Sequence, residues 1–424
     1  MTHTHARRLV LAWLVIHLCA SAIASAQDLT GLYLTWTRDP STTITINWVD
    51  LYPKNTNTVY YREKSAEQQQ DWRSGEAKQL VIEPSSLQRR YVELDGLKPD
   101  TLYEFGIGKR VEKPTDGWTF RTMPAVLNRP IRFVSGGDMM HSRVMIDAMT
   151  SQVAKLDPDF ALLGGDLAYE NGVHATRIVD WLISWKQCAM TKDRRLIPMV
   201  VTIGNHEVRG NYDGKIPDDA PYFYRLFTLP GDRAYYALDF GSYLSLVILD
   251  TAHTNPIEGP QTQWLADALA ARAKQTFLFA CYHFPAYGTS KAPQGKLPID
   301  IPRAVTIREN WVTLFDRFGV SAVFENDHHT YKRSHPLRGH QRDDENGIVY
   351  VGDGCWGVMP RPVPKLEDAW YLAKAAPRNH VWIVDLGTDH TATLRAMDPT
   401  GEVFDEFPLR AARTKPAPLE NRAP

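Results

Sequence analysis

Three short apolar stretches of this chain each run into a glycine turn and then into a side chain that can bind a metal ion. The stretches, each with its polar residue, are residues 131–135 with Asp138, residues 160–163 with Asp166, and residues 198–203 with Asn205. Glycine lets the backbone turn sharply at no steric cost, and short apolar runs are typical of buried strands. Because open α/β sheets place their ligands beyond the carboxyl ends of strands, we expect the three polar side chains to line one crevice.

Further side chains with oxygen or imidazole ligand atoms follow similar stretches. They are Tyr169, three residues beyond Asp166; His206, directly after Asn205; His283, after the apolar residues 276–282; and Asp327 with His329, after residues 322–324. Mixed carboxylate, imidazole, amide and phenolate ligands suit hard or borderline metals rather than a closed structural zinc site. A carboxylate that bridges two ions about 3.5–4 Å apart is what a two-metal hydrolytic centre requires.

From residue 130 onward, strand patterns alternate with helical ones. Helical periodicity covers residues 141–155, 177–190, 261–274 and 308–318. Alternation followed by a β-rich end predicts a layered α/β sandwich rather than a closed barrel. We assign residues 130–405 to this domain and expect residues 410–424, rich in proline and arginine, to be disordered.

Residues 28–124 show the pattern of a separate all-β domain. Trp48 falls on the inward face of the alternating residues 43–49. The run from Leu97 to Tyr103, LKPDTLY, resembles the tyrosine corner of fibronectin type III domains. We expect Trp48 and Tyr103 to be core residues without a catalytic role, and residues 123–129 to form the linker to the next domain.

Residues 1–26 have the pattern of a cleavable export signal. Arg7-Arg8 precedes the apolar residues 9–18, and small residues end the segment near Ala26. A twin-arginine signal is the weaker alternative. The apolar run is too short to span a bilayer, so we expect a secreted or periplasmic protein without a membrane span. A net charge of −1, with 23% charged residues, gives no electrostatic basis for binding nucleic acid or a membrane.

The order of these motifs, GD, GDxxY, GNHE, a lone histidine and a final element similar to H-x-H, resembles that of the purple acid phosphatases. They belong to the wider metallophosphoesterases, whose catalytic domain is a four-layer α/β–β/α sandwich, and plant-type members carry a similar β-sandwich in front of it. The resemblance covers most of residues 30–400. It implies a phosphoric ester hydrolase with a binuclear centre of Fe³⁺ and a divalent ion, which would be Fe, Zn or Mn.

The resemblance also implies a role for each motif residue. The first, ferric ion would be held by Asp138, Tyr169 and His329, the second ion by Asn205 and His283, and Asp166 would bridge the two. A tyrosinate ligand stabilises ferric iron and gives the family its colour. His206 would donate a hydrogen bond that stabilises the developing charge, with Glu207 orienting its neighbours. A metal-bound hydroxide would attack the phosphorus of a phosphomonoester.

The last motif departs from the family pattern G-H-x-H, because this chain has Asn326-Asp327-His328-His329. Side chains alternate along an extended chain, so Asp327 and His329 are expected to be ligands, with His328 behind them or facing the substrate. The alternative is that His328 takes the ligand position. As a ligand, Asp327 would add a negative charge and weaken the attraction for a dianionic monoester more than for a diester. The charge could be compensated by Lys332, Arg333, Arg143 or another cation.

Two more positions depart from the family. Met140 stands where the family has glycine or histidine. No histidine lies between His283 and Asp327, where plant-type enzymes carry one thought to protonate the leaving group. Some histidines lack a matching motif, and we expect structural or surface roles for His141, His253, His335 and His380. Of these, His253 follows a strand end and could approach the site.

These observations leave three interpretations. We expect an exported hydrolase of small phosphomonoesters. The first alternative is a phosphodiesterase on the same scaffold. The second is a non-catalytic surface-binding protein, in which the β-domain recognises a partner and the metal domain is inert.

Overall fold

The computed structural model describes residues 29–50, 57–65, 71–83, 85–113, 116–210, 215–290 and 295–409. The expected export signal at residues 1–26 and the tail at residues 410–424 lie outside the described residues. Within the described ranges, no helix is long and apolar enough to cross a membrane.

Two four-stranded antiparallel sheets form the N-terminal part of the structure. Their strands are β1 (Gly31–Thr35), β2 (Ile44–Asp50), β3 (Thr58–Glu63), β4 (Arg73–Glu76), β5 (Lys78–Ile82), β6 (Leu87–Leu94), β7 (Leu102–Ile107) and β8 (Trp118–Arg121). One sheet has the order β1-β2-β6-β5 and the other β4-β3-β7-β8. The sequence pattern does not indicate β4, because this short strand is largely exposed and polar.

The two aromatic residues expected in this core are buried there. Trp48 and Tyr103 expose 0% and 1% of their surface. The hydroxyl of Tyr103 accepts a hydrogen bond from the backbone N–H of Lys98 at 2.9 Å, which is the contact of a tyrosine corner. Both residues are therefore core residues, as predicted.

Strand β2 is buried on both faces, which its alternation alone does not predict. The second face of its sheet is covered by the rest of the chain. The indole of Trp36 packs edge-on against the rings of Phe160 and Phe240, at 6.1 and 5.7 Å. The hydroxyl of Tyr33 donates to the carbonyl of Leu226 at 2.6 Å. The two parts of the structure thus share one apolar core.

The second part contains two large sheets and a two-stranded ribbon. Its strands are β9 (Ile131–Gly136), β10 (Phe160–Leu163), β11 (Met199–Val201), β12 (Tyr236–Phe240), β13 (Leu244–Ile248), β14 (Phe277–Cys281), β15 (Ala322–Phe324), β16 (Tyr331–Ser334), β17 (Leu337–Arg338), β18 (Gln341–Arg342), β19 (Val349–Gly352), β20 (Leu372–Ala376), β21 (Val381–Leu386), β22 (Ala392–Met397) and β23 (Val403–Leu409). Its helices are α1 (Arg143–Lys155), α2 (Ala175–Cys188), α3 (Pro221–Leu226), α4 (Pro260–Ala271), α5 (Pro302–Ile307) and α6 (Thr313–Phe318), with a π-helical turn at Arg308–Val312. The large sheets have the orders β11-β10-β9-β21-β22-β23 and β12-β13-β14-β15-β19-β16-β20.

The two large sheets pack face to face with helices on their outer sides. Phe133 of β9 meets Phe279 of β14 and Phe324 of β15 at ring distances of 5.7 and 6.1 Å. The alternate residues Ala280 and Val323 point the other way, into a separate apolar cluster with α4 and α6. Buried residues of α1 and α2 join the core on the β9 side. The four-layer α/β–β/α sandwich expected from the sequence is therefore confirmed.

Parallel strands from both sheets deliver the candidate residues. Strands β9, β10 and β11 run parallel, as do β13, β14 and β15. Asp138, Asp166 and Asn205 follow the strands of the first set, whereas His283 follows β14 and Asp327 follows β15. Each sheet therefore supplies part of the predicted crevice.

Candidate metal centre

The loops after β9, β10 and β15 pack closely against one another. The backbone N–H of Asp138 donates to the carbonyl of Gly165 at 3.0 Å. Gly164 cannot carry a side chain, because a Cβ there would lie 2.1 Å from the amide of Asn326. The glycine pair thus turns the chain and also makes room for the loop from the opposite sheet.

Five of the predicted ligand residues adopt left-handed backbone angles, which residues other than glycine rarely do. Their φ angles are 55° at Asp138, 53° at Asp166, 57° at Tyr169, 75° at Asp327 and 58° at His329. Strained positions of this kind cluster at functional sites. The angles also correct the argument from alternation, because the chain is not extended at residues 327–329.

Asp138, Tyr169 and His329 bring their ligand atoms together, and we call them the first group. The hydroxyl of Tyr169 lies 3.0 Å from Oδ1 of Asp138 and 3.0 Å from Nε2 of His329. The third distance, from Nε2 of His329 to Oδ1 of Asp138, is also 3.0 Å. Oδ2 of Asp138 accepts the N–H of Asp327 at 2.9 Å, which leaves Oδ1 facing the other two side chains.

Asn205, His283 and Asp327 form the second group. Nε2 of His283 lies 3.2 Å from Oδ1 of Asn205 and 3.5 Å from Oδ1 of Asp327. Nδ1 of His283 donates to the carbonyl of Gly164 at 2.8 Å. Because this bond fixes a proton on Nδ1, Nε2 is the nitrogen that would bind an ion, as in metal-ligating histidines.

Asp166 lies between the two groups. Nε2 of His283 is 3.3 Å from Oδ1 of Asp166, and one ligand atom from each of Asp138, Asp166 and His283 lies within 4.8 Å of the others. The carboxylate of Glu207 accepts the N–H of Asp166 at 2.8 Å and that of Gly204 at 2.7 Å. Glu207 therefore fixes the backbone of Asp166 in a place where one carboxylate reaches both groups.

The electrostatics of the cleft fit a metal centre. Asp138, Asp166 and Asp327 are buried, with exposures of 0%, 1% and 3%. Burial opposes the ionisation of Asp166, but the charges of His283 and His206 and the hydrogen bond from His283 together lower the pKa of this carboxyl. Burial, and then the charge of Asp138, raises the pKa of Tyr169 well above 10. Buried carboxylates this close repel one another unless cations lie among them, and this mixture of oxygen and nitrogen donors suits hard or borderline metal ions.

The imidazole of His206 lies at the edge of the cleft and is held at two points. Its backbone N–H donates to Oδ1 of Asp166 at 2.8 Å, and its Nδ1 bonds Oδ1 of Asn171 at 2.5 Å. Its Nε2 is 3.9 Å from Oδ2 of Asp166. Asn171 is a positioning residue that sequence reasoning missed, since its only signal is its place two residues after Tyr169.

His328 lies behind Asp327 and is fully buried. Its Nδ1 accepts the backbone N–H groups of Thr289 and Ser290, both at 3.0 Å, and its Nε2 lies 3.6 Å from Oδ2 of Asp327. A buried ring held in this way cannot face a substrate, so of the two positions expected for His328 the structure supports the one behind the ligand residues. The geometry places Asp327, rather than His328, among the ligand atoms.

The three cations expected to offset the charge of Asp327 are engaged elsewhere. The pairs are Lys332 with Asp353 at 3.1 Å, Arg333 with Asp405 at 2.7 Å, and Arg143 with Asp147 at 3.2 Å. Because nearby carboxylates neutralise these three side chains, the remaining alternative, another cation, is the better candidate. Two other arginines are better placed: Nη1 of Arg361 donates to the carbonyl of Asp327 at 3.2 Å, and the charge of Arg303 acts on Asp327.

Two histidines without a motif also lie beside the cleft. The buried ring of His253 is 5.6 Å from that of His283, so the structure supports the alternative in which this histidine approaches the site. The ring of His141 is 5.1 Å from that of Tyr169, which the sequence did not indicate. His380 packs in the core, in keeping with a structural role.

Two family models match this chain. Residues 29–122 match "Purple acid Phosphatase, N-terminal domain" and residues 133–330 match "Calcineurin-like phosphoesterase". Two uncharacterised proteins of Mycobacterium tuberculosis, from strains CDC 1551 and H37Rv, are each 28% identical over 285 residues. These matches cover 59% of this chain and 51% of each relative, so the chain spans about half the length of the curated relatives it matches.

Solved structures share the fold at low sequence identity. The purple acid phosphatase PPD1 from seeds of yellow lupin, Lupinus luteus, has a TM-score of 0.73 at 18% identity, covering 93% of this chain and 77% of that chain. PhoD has a TM-score of 0.65 at 13% identity, covering 92% of both chains. At these identities the likeness supports the fold alone.

Proposed function

Because the chain joins a purple acid phosphatase N-terminal domain to a calcineurin-like phosphoesterase domain, it belongs to the purple acid phosphatase-like metallophosphoesterases, and we propose that it hydrolyses small phosphomonoesters at a binuclear metal centre. The observation that carries the proposal is the convergence of the first and second groups on Asp166. A carboxylate shared between two sets of ligands is what a two-ion hydrolase requires.

The two groups suit different ions. Carboxylate and phenolate oxygens of the first group favour a hard trivalent ion, which we assign as Fe³⁺. The second group, with amide, imidazole and carboxylate ligand atoms, suits a divalent ion, which would be Fe, Zn or Mn. When bound, the ions would supply a nucleophile by lowering the pKa of a water to about 7, and would offset the charge of the phosphate.

His206 would orient the ester and stabilise the charge that develops on it. Its Nε2 lies in front of Asp166, where it can contact a phosphate oxygen. The contact of Nδ1 with Asn171 orients the ring so that Nε2 remains the nitrogen available to the ester.

Asp327 supports a second candidate function, a phosphodiesterase on the same scaffold. Its carboxylate adds a negative charge to the second group. A diester carries one negative charge and a monoester carries two, so repulsion from Asp327 penalises the monoester more. Arg361 and Arg303 reduce this penalty, because both act near Asp327.

We also propose that the protein is exported, on the basis of the signal-like residues 1–26. The test is N-terminal sequencing of the mature protein recovered from outside the cytoplasm of a producing cell. We expect cleavage near Ala26. An uncleaved chain that stays in the cytoplasm would contradict the proposal.

The function is tested by measuring the hydrolysis of an aryl phosphomonoester and a bis-aryl phosphodiester side by side, from acid to alkaline pH. The protein should have a known content of iron and of divalent metal. Faster monoester turnover, with an optimum at acid pH, is the expected result. Faster diester turnover would favour the second candidate. Turnover of neither ester, with both metals bound, would favour the surface-binding protein with an inert metal domain.

A further inference from the structure

Residues 357–361 form a loop, here called the rim loop, beside the first group. Three backbone hydrogen bonds fasten it: the N–H of Gly357 to the carbonyl of Asp138 at 3.1 Å, the N–H of His141 to the carbonyl of Gly357 at 2.8 Å, and the N–H of Arg361 to the carbonyl of His329 at 2.9 Å. The rim loop therefore connects the loop that carries Asp138 with the loop that carries His329, and His141 lies at this junction.

The side chain of His141 is held at one nitrogen. Its Nδ1 accepts the backbone N–H of Met359 at 3.0 Å, so the neutral ring carries its proton on Nε2. The residue is exposed, and its ring lies 5.1 Å from that of Tyr169 and 5.3 Å from that of His329. Nε2 is thus a hydrogen-bond donor at the solvent edge of the first group.

A second imidazole lies in the same surroundings. The ring of His206 is 4.4 Å from that of Tyr169, so both His206 and His141 pack against this tyrosine. The chain has no histidine between His283 and Asp327. His141 is therefore a second imidazole donor, in addition to His206, and it lies beside the first group on the side of the rim loop.

We propose that His141 is a substrate-binding residue, which donates its Nε2–H to an oxygen of a phosphate ester bound in the cleft. The inference rests on the proposed function and adds a substrate preference to it. Met359, which is 64% exposed and is bonded to His141 through its backbone, offers apolar surface to the leaving group. Esters of aromatic or other apolar alcohols fit such a subsite best.

A purely structural role for His141 would act through Nδ1, which holds the rim loop, and two substitutions separate the roles. In His141→Asn the amide oxygen takes the place of Nδ1 and accepts the N–H of Met359, but no donor reaches the place of Nε2. In His141→Gln the side-chain N–H reaches the place of Nε2. His141→Ala removes both contacts.

The test is calorimetric titration of each metal-loaded protein with inorganic phosphate, together with KM for an aryl phosphate. For His141→Ala and His141→Asn we expect Kd and KM to rise about tenfold, the effect of one hydrogen bond to a charged group. His141→Gln should stay within about threefold of the wild-type values. Metal content should be unchanged throughout. His174→Ala is the matched control, because His174 is exposed at the start of α2 and its side chain makes no capping hydrogen bond to the helix.

A wild-type Kd and KM in His141→Ala would overturn the inference, as would rescue by asparagine rather than by glutamine. Phosphate binding is measured without turnover, so the inference and the proposed function can fail separately. A protein that binds phosphate yet hydrolyses neither ester contradicts the proposed function, while the series of Kd values still decides the role of His141.

Discussion

The first and second groups of the cleft differ in geometry and in charge. The three ligand atoms of the first group are each 3.0 Å apart, whereas Nε2 of His283 lies 3.2 Å from Asn205 and 3.5 Å from Asp327 in the second. The first group has the residues that the resemblance to the purple acid phosphatases implies, whereas the second has a carboxylate where the resemblance implies a histidine. From this difference we propose that the first group binds ferric iron and that the second group changes the preference for substrate charge.

The two groups also differ in what lies behind them. Backbone contacts of the rim loop fasten the first group. The second rests on His328, which contacts Asp353 at 3.5 Å inside a buried set of charges that includes Lys332. Burial raises the pKa of Asp353 to about 7. Substitutions behind the second group should therefore disturb one ion and spare the other.

The largest effect is expected from Asp166→Ala, because both groups share this carboxylate. Both ions should bind more weakly, and kcat/KM should fall by about 10³-fold or more, since metal ions contribute several kcal/mol to such reactions. Metal analysis and kinetics on the same preparation check this. Asp232→Ala, at an exposed loop position, is the control. Retention of either ion at wild-type affinity would show that Asp166 is not shared.

Tyr169→Phe should affect the first group and leave the second unchanged. Loss of the phenolate should abolish visible absorption and lower the affinity for the first ion about 100-fold, while the second ion stays bound. An absorption spectrum with metal titrations provides the measurement. Tyr60→Phe, at a partly buried tyrosine in β3, should change neither. A variant that keeps its colour would remove Tyr169 from the iron site.

Asp327→His tests the charge difference directly. Removing one negative charge near the second group should raise the monoester-to-diester ratio of kcat/KM about 30-fold, equivalent to about 2 kcal/mol of charge repulsion. Asp327→Asn removes the charge without adding an imidazole and should move the ratio the same way. If the ratio is unchanged in both variants, the charge argument fails.

His328→Asn is expected to have the smallest effect. Asparagine keeps an acceptor for the N–H of Thr289 but loses the nitrogen that faces Asp327. Loss of such a supporting contact should lower the affinity for the second ion about tenfold and leave the affinity for the first unchanged. Competition with a chelator measures both affinities. Equal weakening of the two ions would mean that the groups are not independent.

Much of this fold follows from local patterns in the sequence. Residues 160–163 form β10 as predicted, because a buried strand and a glycine turn both leave local signals. The burial of both faces of β2 leaves no such signal, because the second face of its sheet packs against distant parts of the chain, which Trp36 and Tyr33 contact. The helix predicted at residues 308–318 begins further upstream, at Pro302, and contains a π-helical turn that the periodicity does not indicate.

The ligand atoms could be predicted, but their surroundings could not. Asp327 lies with the second group for a reason other than the alternation of an extended chain, since its φ is 75°. Lys332 was expected to compensate for its charge, but buried carboxylates neutralise this lysine instead. Such pairings depend on side chains that meet only in the folded structure, and so did the contacts of Asn171 and Arg361.

The most direct test of the central claim is anomalous X-ray diffraction from crystals of the metal-loaded protein, with data at the iron edge and at the edge of the second metal. We expect two peaks about 3.5–4 Å apart with the carboxylate of Asp166 between them. The iron peak should lie beside Tyr169 and the other peak beside His283 and Asp327. A single peak, or two peaks that do not share Asp166, would contradict the account.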